Sequence, residues 1–204
     1  MEVKFSKFVS FLFQPLLMPT LGFIILLQMP VYFAVVIPAS AKWMLMGIVF
    51  FTTFVLPAAF IFFMIRRGMI GSLYIDSREE RTVPYIITIV FFILTYYLLK
   101  RLQLSHIYAF FMLNAILRVI SVLLINMFWK ISSHMAAIGA LTGMTIGLSH
   151  FLGILFLGLI LAALVLSGIV GFARLKLDAH TPAQVYGGFF LGSGLTTFLF
   201  VLFL

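Results

Sequence analysis

Arg174 stands six residues before His180, and His180 stands immediately before a helix start. In Ala179-His180-Thr181-Pro182-Ala183-Gln184, Thr181 is an N-cap, Pro182 suits the first helical position, and Gln184, three residues past the cap, completes a capping box. An imidazole there lies at the positive end of a helix, where unsatisfied N–H groups and the helix dipole favour a phosphate. The stretch Lys130-Ile131-Ser132-Ser133-His134 repeats the arrangement, with a serine as cap and His134 in the first turn of another apolar helix. Two imidazoles beside guanidinium groups are the parts needed to bind a multiply charged anion and to move a proton or a phosphoryl group.

The elements that must position these groups are membrane helices. Hydrophobic residues make up 64% of the 204 positions and charged residues only 9%, against about a quarter charged in soluble domains. Residues 8 to 29, 43 to 65, 82 to 99, 131 to 173 and 179 to 204 contain no Asp, Glu, Lys or Arg. A membrane helix needs roughly 20 apolar residues, and unpaired backbone is not tolerated in hydrocarbon. With no strand-like alternation, these runs predict an all-α, polytopic transmembrane bundle of six or seven spans, a single domain over residues 1–204.

Polar punctuation sets the expected spans at Phe8–Gln28, Trp43–Ile65, Pro84–Leu99 and Ser105–Trp129, then two spans divided near Ser149-His150, and a seventh from Pro182. A bend at Gln14-Pro15 and Pro19 makes the first a half-span and lowers the count to six. Lys4, Lys7 and Ala39-Ser40-Ala41 superficially resemble a signal peptide, but the apolar run between them is too long, which predicts a retained helix. Absent cysteine excludes disulfides and thiolate metal sites.

Seven alternating spans bring the N-terminus, the 66–83 loop, the 130–134 turn and the 173–183 loop to one face. That face collects nine of the thirteen cations, together with His134 and His180. Basic residues confined to short loops between apolar helices fit the bilayer and phosphorylated lipids as partners, not nucleic acid.

These residues together resemble the type 2 phosphatidic acid phosphatase superfamily of membrane lipid phosphatases. Its pattern is Lys-x6-Arg-Pro, then Pro-Ser-Gly-His, then Ser-Arg-x5-His-x3-Asp. Ser132-Ser133-His134 corresponds to the second block, with Ile131 for Pro and Ser133 for Gly. Arg174-x5-His180 keeps the spacing of the third, followed by Val185 and Gly188; Ala173 stands for its Ser and Gln184 for its Asp. For the first block there are Arg81 and, three residues on, Pro84, with Tyr74 at the Lys position. The likeness spans about residues 130 to 192 and, thinly, 74 to 85.

The resemblance implies metal-independent hydrolysis of a lipid phosphate through a phosphohistidine, with no cofactor. His180 would be the nucleophile and His134 the general acid. Arg174 and Arg81 would clamp the phosphate, with Arg78, Lys130 and the Ser133 hydroxyl in the phosphate-binding set. Cations and N–H groups fixed at two helix starts oppose the charge that builds on the phosphoryl oxygens. An Asp on the far nitrogen of the nucleophilic ring fixes its tautomer and stabilises the cationic phosphohistidine. Gln184 can do the first and not the second. The resemblance implies as substrate a phosphatidic acid, phosphatidylglycerol phosphate, polyprenyl diphosphate or lipid A phosphate.

Blander readings stand beside these. The histidine and arginine set can be a chance gathering of interfacial polar residues, and Gln184 a capping residue alone. Asp76-Ser77-Arg78-Glu79-Glu80-Arg81 also reads as a solvated, internally paired turn. Arg118, some 12 residues before Lys130, falls near the bilayer middle, where Asn114 one turn earlier and nearby carbonyls are its expected partners. Two rival functions follow: a polyprenyl transferase, from Asp76-x-x-Glu79-Glu80, although such enzymes hold magnesium with two acidic clusters, and a non-catalytic lipid-phosphate binder or transporter, from Gln184. With the phosphate-site cations and their neighbours set aside, four cations on the site face stand against three opposite. The family's bacterial members work outward, which implies the periplasmic side of a bacterial inner membrane.

Overall fold

In a computed structural model of the protein, residues 1–68 and 81–204 are described, and all regular structure among them is helical. In chain order the helices are α1 (Glu2–Leu12), α2 (Met18–Gln28), the single turn α3 (Tyr32–Val35), α4 (Ala39–Phe50), α5 (Leu56–Arg66), α6 (Thr82–Arg101), α7 (His106–Asn126), α8 (Ser133–Leu152), α9 (Leu157–Lys176) and α10 (Pro182–Phe203). Six segments are long and apolar enough to cross a membrane: Ala39–Arg66, which joins α4 to α5, and each helix from α6 to α10. Among the described residues the protein is thus all-helical, with six candidate membrane spans.

The expected first span, Phe8–Gln28, is not a single helix. Backbone turns at Phe13–Leu17, around Pro15, separate α1 from α2, because proline lacks the N–H the helical ladder needs and its ring crowds the preceding turn. Each piece has 11 residues, about 16 Å of helix at 1.5 Å per residue, well short of the roughly 30 Å hydrocarbon core. Pro57 has a milder effect. A π-helical stretch, Phe51–Val55, precedes it and absorbs the mismatch, so α4 and α5 form one 28-residue rod. The expected break at Ser149-His150 comes later. There Ser149 Oγ donates to Thr145 C=O at 2.8 Å and accepts from Phe156 N–H at 3.2 Å, and Gly153, at φ 64°, ends α8.

The helices form two compact units, residues 1–18 with 121–204, and residues 19–120. In the first, α8 is the central element and packs backbone to backbone on α10. A methyl group at Gly192 would run into the carbonyl oxygen of Ala136, and one at Gly188 would lie 2.6 Å from that of Ser132. Small residues at four-residue spacing are what such close approach requires. On another side of α8, Thr142 and Ser167 of α9 share a hydrogen bond at 3.3 Å, and α1 packs against α9.

The second unit is held by aromatic packing of Phe23 and Phe33 on Tyr108, whose hydroxyl donates to Phe33 C=O at 3.0 Å. Thr95 of α6 donates to Thr52 at 2.8 Å in the π-helical stretch. Arg118 is also in this unit, 5% exposed, and the expected partner Asn114 does not hold it. Its Nε and both amide atoms of Asn114 are buried without a hydrogen bond among the described residues.

Candidate active site

The start of α10 is built as the sequence predicts. Thr181 is the N-cap, its hydroxyl accepting from Gln184 N–H at 3.4 Å, while Gln184 Oε1 accepts from Thr181 N–H at 3.2 Å. That reciprocal pair has a chemical consequence. An N–H can only donate, so the Gln184 atom facing Thr181 is its oxygen and not its nitrogen. The same oxygen lies 3.0 Å from His180 Nδ1. His180 must therefore carry its proton on Nδ1, and in the neutral ring Nε2 is the nitrogen with the lone pair. The capping box fixes the tautomer of the histidine before it. The ring is buried, 8% exposed.

The bend that delivers His180 comes from Asp178, at φ 51°. Ala179 N–H closes it by donating to Arg174 C=O at 3.2 Å. Aspartate tolerates the left-handed conformation better than most residues, so Arg174 at the end of α9 and His180 ahead of α10 belong to one tight corner.

The start of α8 meets this corner through the backbone. Ser132 N–H donates to Gln184 C=O at 3.3 Å, and Ser132 Oγ caps α8 by accepting from Met135 N–H at 3.5 Å. Ser133 and His134 occupy the first turn of α8, both half-buried, and Lys130 is half-buried just ahead of the cap. Two helix N-termini, each with a histidine beside it, thus adjoin in one unit.

The sequence did not point to Ser10. His134 Nε2 donates to Ser10 C=O at 3.1 Å, and Arg174 Nη1 donates to Ser10 Oγ at 3.2 Å. One residue of α1 therefore contacts both the expected acid and the expected phosphate clamp. Beside it Lys176 Nζ pairs with Glu2 Oε2 at 2.6 Å, and the lysine's hydrogen bond and charge hold the Glu2 carboxyl below its ordinary range. The same pairing raises the Lys176 ammonium above its ordinary value, so the pair is lost at low pH as Glu2 is protonated through its lowered value and at high pH as Lys176 deprotonates through its raised one.

The chain matches no family model, no curated protein and no solved structure. Its own residues therefore carry the reading. Of the expected site, Arg174, His180, Gln184, Lys130, Ser133 and His134 all lie in the unit of residues 1–18 and 121–204, at the adjoining ends of α8, α9 and α10. Arg81, half-buried at the N-cap of α6, belongs to the unit of residues 19–120. Arg78, Tyr74 and the Asp76, Glu79 and Glu80 cluster lie outside the described residues. Only a long-range contact brings Ser10 to the site, 164 residues before Arg174, and no local pattern marks such a contact in one sequence.

Proposed function

We propose that the protein is a membrane lipid phosphatase, a divergent relative of the type 2 phosphatidic acid phosphatases, and that His180 is its nucleophile. The observation that carries the reading is the 3.0 Å bond from His180 Nδ1 to the Gln184 amide oxygen, which leaves Nε2 the nucleophilic nitrogen. In the first step Nε2 attacks phosphorus, the bond from phosphorus to the lipid oxygen breaks, and the departing alkoxide takes a proton from His134. His134 Nε2 is engaged with Ser10 C=O, so the proton comes from Nδ1 of the cationic ring. Water then attacks the phosphohistidine, giving its proton to His134, and phosphate leaves with His180 restored. Arg174 and the N–H groups at the starts of α8 and α10 oppose the charge on the phosphoryl oxygens. The substrates in view are phosphatidic acid, phosphatidylglycerol phosphate, a polyprenyl diphosphate and a lipid A phosphate, hydrolysed at the outer face of a bacterial inner membrane.

Phosphate release from those four lipids by the purified protein, in the presence of EDTA, tests the reading. Turnover that persists in the chelator and vanishes in His180→Ala is expected. Loss on chelation restored by magnesium would instead favour the polyprenyl transferase. A second reading, a lipid-phosphate binder without turnover, has one specific observation in its favour: Nδ1 of His180 is met by a neutral amide oxygen, which orients the ring and brings no full negative charge of its own to that nitrogen. Tight binding of a lipid phosphate without release of phosphate would select it.

A further inference from the structure

We propose that α1 is an interfacial helix seated on anionic lipid headgroups, and that through it Ser10 positions Arg174 and His134; the positioning role rests on the phosphatase reading. Glu2, Ser6, Val9 and Ser10 share one side of the helix by their spacing. Ser6 and Val9 are buried, and Glu2 and Ser10 make the contacts to Lys176, Arg174 and His134. The rest of the helix is turned outward. Phe5, Phe8 and Phe11 are exposed, the last two by 62% and 68%, and Lys4 and Lys7 are exposed beside them.

Three outward aromatics with two lysines, on a helix too short to cross hydrocarbon, are the composition of a helix lying in the headgroup region. Its neighbour α9 is a candidate span, and α1 packs on the half of it that ends in Arg174 and Lys176. The two lysines select anionic headgroups, each such residue adding to attraction at the membrane surface. Ser10 itself touches no reacting atom. Its hydroxyl accepts from Nη1 of Arg174 and so fixes one edge of the guanidinium, and its carbonyl sets the ring of His134.

The chain has no cysteine, so Phe8→Cys in the full-length protein accepts a single spin label. The protein is reconstituted in phosphatidylcholine vesicles and in vesicles of phosphatidylcholine and phosphatidylglycerol in equal parts. The label is expected to be shielded from a water-soluble relaxation agent and reached by oxygen in the mixed vesicles, with that burial reduced when Lys4 and Lys7 are both replaced by Gln. Ser10→Ala should raise KM about tenfold, the effect of one lost hydrogen bond to a charged group, with kcat within about twofold because the backbone carbonyl to His134 remains. A label exposed to water in both vesicles overturns the docking, and a Ser10→Ala variant with the parent's KM overturns the positioning. A label that sinks into the mixed vesicles on a protein releasing no phosphate from any lipid removes the phosphatase reading and the role of Ser10 with it, and leaves α1 as a membrane-docking helix.

Discussion

The Gln184 side chain accepts from two donors at once, Thr181 N–H and His180 Nδ1, so one oxygen both caps α10 and orients the ring. Replacing it with a carboxylate tests the second role. Gln184→Asp puts a negative charge beside an imidazole that becomes cationic when phosphorylated, and a charge-assisted bond is roughly twice as strong as a neutral one. The chemical step should then accelerate about tenfold, near 1.4 kcal/mol, while the shorter side chain weakens the capping box and lowers stability. Gln184→Ala should slow turnover by releasing the ring. Single-turnover rates on folded Asp and Ala variants decide this, and rates equal to the parent's in both would show that Gln184 does not act on His180. His134 has a separate signature. His134→Ala should impair lipid alkoxide leaving groups far more than an activated aryl phosphate, which departs without a proton. Equal losses on both substrates would remove His134 as the acid. At this scale the site was legible wherever the signal was local: the Arg174-x5-His180 spacing, the two caps and the Thr181-to-Gln184 box are short-range patterns with a mechanism.

Among the helices, the α8 and α10 pair is the rigid part of the site's foundation. Its close approach depends on glycine, so Gly192→Val should cost about 3 kcal/mol or more, since the added atoms meet the Ala136 backbone and not a side chain that can move aside. Gly194→Ala, two residues on, meets nothing within 4 Å among the described residues and should be tolerated. Thermal unfolding in detergent compares them, and equal stability of the two variants would contradict the packing account. The glycine spacing in residues 139–147 and 188–192 announced this interface, because a small-residue stripe on an apolar helix has few other uses. The helix ends were legible to within a few residues for the same reason, since charges and prolines punctuate the spans. Two features were not. The separation of α1 from α2 depended on which of two prolines, Pro15 or Pro19, interrupts the helix. Pro19 sits harmlessly in the first turn of α2, and only Pro15 breaks the run. The surroundings of Arg118 were equally hidden, for its sequence neighbour Asn114 faces the interior without reaching it.

For the molecule as a whole, the composition left one solvent for most of the surface. Exposed residues on the long helices are mostly Phe, Leu, Ile and Val, and only lipid accepts such a surface at no cost. Within this apolar body the unit of residues 1–18 and 121–204 gathers at one end two histidines, Arg174 and two helix starts. A lipid phosphate suits that geometry, since its tails can stay in the bilayer while its headgroup reaches the helix ends. The central claim is that a bond forms between phosphorus and His180. It is tested most directly by quenching the purified protein during turnover of a phosphate-labelled lipid, under alkaline conditions that preserve phosphohistidine, and mapping the label by mass spectrometry. Phosphate on His180 in the parent, labile to acid and absent from His180→Ala, is the predicted result. Phosphate released steadily by a parent protein that never carries the label on His180 would contradict it.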